Sequence, residues 1–344
     1  MIVTKKDLSP LDGCYSVSVM EHKGKPHVFF ASDAKDGDCF AWDLPDMKTR
    51  ERIWSSPGGC MSMVSIPGRP DEFFTIQKFY RLWDWEGAEL VWVKPDGKGG
   101  YSLKTMATLP YLHRFDFLDS DGTVYLLAAT LAAHKKEVAD WSEAGTVYVS
   151  QLPANLDNGL TVIPLREDLF QNHGYSRIEW NGRNAGLITC CNGAFVFTPP
   201  INGGEWTVEQ LMDIPISDAD MIDIDGDGEL EIATIEAFHG DRFRIYKKIG
   251  GQYKMIFEHP EIADFYHVVR RGVIGGKPVF IGGGRGGKEQ LFVVHYDGSS
   301  FGIITLDEGE GPSNAATANI DGHDIIFAAN RNSGFATAYV IGAE

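Results

Sequence analysis

Short apolar runs broken by turns rich in Gly, Asp and Asn recur along the whole chain, and helical periodicity is scarce. Aligning the turns shows one unit seven times: a strand, a tight turn with glycine, and a second, more apolar strand. The turn glycines are Gly24, Gly68, Gly122, Gly182, Gly228, Gly276 and Gly322. Because they recur every 44–60 residues, each unit has room for four strands, which is the repeat of a β-propeller blade.

The repeat predicts an all-β fold, a seven-bladed β-propeller of four-stranded blades that fills residues 1–344 as a single domain. After the seventh hairpin only "FATAYVIG" remains, so the last blade lacks one strand. The N-terminal "MIVTKKDLS" has the pattern of the fourth strand "GIITLDEGE". We therefore predict that it closes the ring in the last blade and covers an otherwise exposed sheet edge. Two inserts are predicted, "LAAHKKEVADWSEAG" within the third blade and "LPANLDNGLTVIPLREDLFQN" leading toward the fourth.

Histidines share one register in three of the hairpins. Nine residues before the turn glycine stand His113, His173 and His267, whereas the other four copies have Tyr15, Gly59, Ala219 and Ser313. The first strand of a blade is the innermost, so this register brings three imidazoles to one mouth of the channel. Three neutral imidazoles with open coordination positions are typical of a catalytic metal site. We predict a divalent transition metal there, with Zn, Mn and Fe left open.

The loops between second and third strands are predicted to open on the same face, and they are rich in basic and aromatic residues. They carry Lys78, Tyr80, Arg81, His134, His239, Arg242, Arg285 and Arg331. Such a face on a chain of net charge −17 indicates an anionic or metal-bound ligand. We predict that His134 or Tyr80 acts as a base, and that Arg285 and Arg331 clamp a carboxylate.

The fifth copy contains an acidic turn, "DIDGDGELE". Asp223, Asp225, Asp227 and Glu231 supply hard oxygen ligands at alternate positions, which suits Ca²⁺, and we predict a structural calcium there. An acidic turn without metal is the alternative. The segment resembles the FG-GAP or VCBS-type propeller repeat, whose inter-strand loop binds calcium. The resemblance is specific for this blade, with weaker remnants in "LDSDGTVY" and "NIDGHD".

The resemblance, together with the histidines, implies a carbohydrate-active enzyme. Seven-bladed propellers with channel histidines and a divalent metal resemble oligogalacturonate lyase, and FG-GAP-type propellers occur in aldos-2-ulose dehydratase. The implied reaction is β-elimination or dehydration of a sugar or uronate, with a small-molecule or oligosaccharide substrate. A sugar isomerase on the same site is an alternative, and so is a non-catalytic binding or scaffold propeller, for which Trp83, Trp85 and Trp141 would supply an aromatic patch. Hydrolysis by Asp116, Asp140 or Asp241 is a weaker option.

The net charge limits the kinds of partner, and the cysteines and the N-terminal segment indicate the cellular compartment. A net charge of −17 argues against nucleic-acid and anionic-membrane surfaces, which need clustered Lys and Arg. The five cysteines are an odd number and include the adjacent pair Cys190–Cys191, which predicts reduced thiols. The start "MIVTKKDLSPLDG" lacks the apolar run of a signal peptide. We therefore expect a cytoplasmic location, unless a signal peptide has been trimmed.

Overall fold

Each of the seven predicted hairpins begins a four-stranded antiparallel sheet in the computed structural model, which describes residues 2–80 and 87–342. The sheets follow one another along the chain; six are built in simple order from their first strand to their fourth, and the seventh takes its fourth strand from the N-terminus. The predicted all-β, seven-bladed propeller of four-stranded blades is therefore confirmed.

The strands of the first four blades are consecutive in the chain. Blade one has β2 (Cys14–His22), β3 (Lys25–Ser32), β4 (Asp38–Asp43) and β5 (Arg50–Ser55). Blade two has β6 (Met63–Ser65), β7 (Phe73–Gln77), β8 (Glu89–Pro95) and β9 (Tyr101–Thr108). Blade three has β10 (Leu112–Ser120), β11 (Thr123–Thr130), β12 (Gly145–Gln151) and β13 (Ile163–Leu169). Blade four has β14 (Gly174–Trp180), β15 (Arg183–Cys190), β16 (Gly193–Thr198) and β17 (Thr207–Met212).

The remaining blades complete the ring. Blade five has β18 (Asp218–Ile222), β19 (Glu231–Glu236), β20 (Arg242–Ile249) and β21 (Gln252–Glu258). Blade six has β22 (Tyr266–Ile274), β23 (Lys277–Gly284), β24 (Leu291–Tyr296) and β25 (Phe301–Asp307). Blade seven has β26 (Pro312–Ile320), β27 (His323–Asn330) and β28 (Phe335–Gly342), and its outer strand is β1 (Ile2–Pro10).

The ring closes as predicted, by pairing of the N-terminal strand with the last strand of the chain. β1 runs antiparallel to β28 from Ile2 opposite Gly342 to Pro10 opposite Phe335. Lys5 adds an ion pair to Asp307 of blade six, with 2.9 Å between its Nζ and the carboxylate. β1 therefore gives blade seven its fourth strand and covers the edge of β28.

The first strands of neighbouring blades contact one another all the way round the ring, so they line the central channel. The second strands lie between neighbouring blades, and several, such as β7, β15 and β19, are buried at almost every position. This explains why their sequences read as continuous apolar runs rather than alternating ones. No helix within the described ranges is long and apolar enough to cross a membrane.

Of the two predicted inserts, the first is a loop and the second contains a strand. Residues 131–144 form the predicted excursion between β11 and β12. The stretch "LPANLDNGLTVIPLREDLFQN" was predicted as a connection to the fourth blade, but it contains β13, the outer strand of the third. β13 is exposed at several positions, so its sequence lacks the apolar run by which an inner strand is recognised.

Candidate functional site

The position that holds the predicted histidines coincides with a β-bulge in the first strand of several blades. In blades one, three, six and seven the first strand carries a register shift at one residue, which is Tyr15, His113, His267 or Ser313 respectively. A bulge re-aims the side chain of the extra residue. His173 lies just before β14. The equivalent residue in the fifth blade is Ser217 and not Ala219, because the acidic turn lengthens that hairpin and shifts the count.

Each of the three predicted histidines is held by the next blade. The Nδ1 atom of His113 lies 3.1 Å from the carbonyl oxygen of His173, and that of His173 lies 3.2 Å from the carbonyl oxygen of Ser217. The Nδ1 atom of His267 lies 2.6 Å from the carbonyl oxygen of Ser313. Since a carbonyl oxygen only accepts, Nδ1 carries the proton in all three rings. The Nε2 lone pairs are thereby left for a metal or a proton, the usual arrangement around metal-binding histidines.

Gly174 makes one of these hydrogen bonds possible. A Cβ atom at this position would lie 2.7 Å from the carbonyl oxygen of Ser217, which is the acceptor for His173. A real Cβ is not found so close to an oxygen, so only glycine lets the two blades approach here.

Three histidines present ligand atoms within 4.8 Å of one another, but they are His173, His239 and His267. The Nε2 atoms of His173 and His239 are 3.1 Å apart. Two nitrogens bound to one tetrahedral zinc would lie about 3.3 Å apart, so the spacing suits a metal; without a metal it is a hydrogen bond donated by His239. His113 belongs to the same group, because its ring centroid is 4.5 Å from that of His173.

These histidines line a cavity of about 220 Å³ at the channel mouth. Its wall is aromatic and apolar with a few polar groups, which is the usual make-up of a small-ligand site. The polar and aromatic lining residues are Tyr15, Asp33, Phe79, His113, Trp141, His173, Phe238, His239, Phe265, His267 and Arg285. The hydroxyl of Tyr15 lies 3.3 Å from Nε2 of His267, so a metal bound at that nitrogen requires Tyr15 to turn its hydroxyl to another partner.

Burial keeps the predicted histidines neutral. It holds the pKa of His113, His173 and His267 well below the usual range of imidazole. Neighbouring positive or titrating groups lower the pKa values further, chiefly Arg114 for His113, His113 for His173 and His239 for His267. Neutral rings are the form that binds metal, so the donor set fits a divalent transition metal.

The structure brings together only part of the predicted catalytic set. Arg285 lines the cavity, with its guanidinium 5.0 Å above the ring of Phe265. His134 is exposed in the third-blade insert, and neither it nor Tyr80 is among the lining residues. The guanidinium of Arg331 is engaged, since its Nε donates to Asp33 at 2.6 Å. Arg81, Trp83 and Trp85 lie outside the described residues.

Two polar residues of the cavity escaped sequence analysis. Asp33 is buried and lines the cavity, and its Oδ1 has no hydrogen-bond partner among residues 2–80 and 87–342. Tyr15 was noted only as a position without histidine. A search for carboxylates at the ends of the second strands would have found Asp33. A search of the shared register for any polar residue would have found Tyr15.

Lys135 is buried in the third-blade insert, where its ammonium group lies 3.0 Å above the ring of Trp141. Burial lowers the pKa of Lys135 to about 8.

The ammonium group of Lys247 lies among the carboxylates of the acidic turn. The Asp223, Asp225 and Asp227 carboxylates lie within 4.8 Å of one another. The Nζ atom of Lys247 lies 2.5 Å from Asp225, 2.6 Å from Asp227 and 3.1 Å from Glu231. These carboxylates outweigh the effect of burial and raise the pKa of Lys247. The donors suit Ca²⁺, but an ion at this place has to displace the ammonium group.

Comparison with known proteins identifies the fold and not a family. No family model matches the chain, and no curated protein matches it. Among solved structures, the beta-propeller domain of Cps50 (Swd1) from Myceliophteria thermophila is 12% identical with a TM-score of 0.59, and 100% of each chain is covered. The WD40 beta propeller domain of Doa1 is 11% identical with a TM-score of 0.60, covering 99% of this chain and 97% of that one. Neither description names an FG-GAP repeat or a lyase.

Proposed function

We propose that this propeller is a metal-dependent enzyme that acts on a small ligand in the histidine cavity. The observation that carries the proposal is the convergence of ligand atoms from His173, His239 and His267 within 4.8 Å. For His173 and His267, backbone carbonyls fix the tautomer that leaves Nε2 available. A cavity of about 220 Å³ accepts one sugar ring, and a longer chain would extend from the mouth.

The specific reaction we propose is β-elimination or dehydration of a sugar or uronate. A bound divalent metal polarises a carbonyl or carboxylate and so acidifies the neighbouring C–H bond. His113 is placed to accept that proton, because its Nδ1–H is donated to the carbonyl of His173 and its Nε2 is left as acceptor. Tyr15 is a second proton-transfer group on the same wall, and Arg285 is the cation that receives a substrate carboxylate.

A non-catalytic ligand-binding propeller is the second candidate. It accords better with the comparisons, because the structural neighbours are the beta-propeller domain of Cps50 (Swd1) and the WD40 beta propeller domain of Doa1, and this candidate requires no more than such a fold with a cavity. It uses the same cavity and needs no proton-transfer group. The two candidates therefore differ in turnover and not in the location of the ligand.

Metal content and turnover, measured together, test the proposal. We expect the purified chain to hold about one divalent transition metal per molecule, and His173→Ala and His267→Ala to lose it. His323→Ala, in an exposed hairpin, is the matched control. Elimination from a uronate gives a conjugated double bond whose ultraviolet absorbance reports the reaction. Metal without turnover on any uronate or keto sugar favours the non-catalytic propeller, and absence of metal after reconstitution contradicts the metal site.

A further inference from the structure

A second cavity, of about 380 Å³, lies in the central channel next to the histidine cavity. The two cavities share Met61, and consecutive residues face one cavity each: His113 lines the first and Arg114 the second. The charged residues of the second cavity are Arg114, Asp116, Arg177, Asp220, Arg270 and Arg271. Four arginines and two aspartates give the lining a charge of +2, within a chain of net −17.

Two of the arginines are neutralised by the two aspartates. Arg177 pairs with Asp116 through its Nε, at 3.0 Å, and through its Nη2. Arg271 pairs with Asp220 through its Nη1, at 3.1 Å. Both ion pairs lie within the wall of the cavity, so the uncompensated charge of the lining resides on the other two arginines.

Arg114 is buried, and no carboxylate of the described residues lies within ion-pair distance of it. Only 3% of its surface is exposed. Its Nη1 donates to the carbonyl oxygens of Met61 and His113, at 3.2 and 3.4 Å, which fixes the guanidinium plane. Within the described part of the chain, no group forms a hydrogen bond with its Nε or its Nη2. These two groups form the edge of the guanidinium that binds an oxyanion in bidentate fashion, and Arg177 uses the same edge on Asp116.

Arg270 faces the same cavity and is partly buried. Its Nη1 donates to the carbonyl oxygens of Tyr175 and Val269 and to the hydroxyl of Ser176, at 3.3–3.4 Å. Among the described residues, neither Arg270 nor Arg114 has a carboxylate within ion-pair distance. A charge as deeply buried as that of Arg114 destabilises the protein unless a ligand supplies the opposite charge.

We propose that this cavity is an oxyanion site, in which Arg114 and Arg270 bind the carboxylate or phosphate group of a small ligand. The buried carboxyl of Asp218 interacts electrostatically with both arginines. Burial raises the pKa of Asp218 to about 6, so its carboxylate is ionised at neutral pH, but it lies beyond ion-pair distance of both arginines and leaves the Nε–Nη2 edge of Arg114 available to a ligand. The site is independent of the metal centre, and its test needs no metal.

Calorimetric titration of the full chain with inorganic phosphate and, separately, with malonate at fixed ionic strength tests this site. We expect one binding event, with a shift of the Arg114 Nε–H signal in arginine-selective ¹⁵N spectra. Binding of phosphate alone, of malonate alone or of both supports the site and names the preferred class of anion. Binding of neither anion, with no arginine signal shifted, overturns it.

Arginine variants distinguish bidentate binding of the anion from its general attraction to the positive charge of the cavity. Arg114→Lys keeps the charge but lacks the planar fork, and Arg270→Gln removes the second arginine; each is expected to weaken binding about ten- to a hundredfold. Arg271→Gln, an already paired arginine of the same cavity, removes the same unit of charge and is expected to weaken binding less than about threefold. Should Arg114→Lys not fold, Arg270→Gln against Arg271→Gln decides. Equal weakening by these two overturns the proposal.

Discussion

The Nε2 atoms of His173 and His239 lie 3.1 Å apart, although the residues are 66 positions apart in the chain. His173 precedes the innermost strand of blade four, whereas His239 lies in the loop between the second and third strands of blade five. An imidazole from a strand end and one from a loop therefore meet at one point. Because the loop histidine comes from outside the repeat register, the metal centre we propose is asymmetric about the propeller axis.

The two histidines closest to His173 are expected to differ in their effect on metal content. His239→Ala removes a ligand atom of the trio, so it should lower metal affinity at least about tenfold. His113→Ala leaves the trio intact, so we expect it to retain metal and to lose turnover. Metal content by mass spectrometry and melting temperature for both variants check this. The reverse result, with metal lost only in His113→Ala, would favour the trio predicted from sequence.

The fold was predictable from the sequence because the same hairpin pattern occurs seven times. The site was only partly predictable because some of its residues lie outside that repeated pattern. Equal hairpin lengths placed His113, His173 and His267 at one mouth, and the missing strand after blade seven predicted the closure by β1. His239 was assigned to the correct face, but no register links a loop residue to a strand residue. Asp33 and Lys247 were missed for the same reason: their partners, Arg331 and Asp225, are distant in sequence.

Lys247 is expected to substitute for calcium in the acidic turn. The wild type should then melt at the same temperature in calcium and in chelator, and Asp225→Ala should lower stability under both conditions. Lys247→Met leaves three carboxylates without a cation, so we expect a loss of about 1–3 kcal/mol that calcium partly restores. Lys248→Met, at the exposed neighbouring position, is the control. A wild type that calcium stabilises would instead support the predicted calcium site.

Removal of the closing strand is expected to destabilise the whole ring. Deleting residues 2–9 removes nearly all of β1 and leaves the edge of β28 without a partner. We expect the melting temperature to fall by more than about 5 °C and the variant to aggregate through the free edge. Lys5→Gln keeps the strand, removes the ion pairs of Lys5 with Asp307 and Glu310, and should cost less than about 1 kcal/mol. Equal melting of the truncated and full chains would show that β1 contributes little to closure.

Asp218 gives the fold a pH dependence of defined sign. Its pKa is raised from 3.8 to about 6, chiefly by burial, with Asp220 adding to the shift and Arg270 and Arg114 opposing it. The folded state therefore binds the proton more tightly than the unfolded chain, so this stabilisation is fully present below about pH 4 and is lost as the pH rises through about 6. Asp218→Asn keeps a neutral side chain at every pH. We expect it to be more stable than the wild type by about 1–3 kcal/mol at pH 7.5, with no difference near pH 4. Denaturant unfolding at both pH values measures this, and it requires that the chain stay folded at the lower one.

Because Asp218 also acts on the two arginines of the channel, the Asp218→Asn variant should bind phosphate more tightly than the wild type at pH 7.5. An Asp218→Asn protein that loses stability at pH 7.5 would instead show that the ionised carboxylate is a needed partner of Arg114 and Arg270.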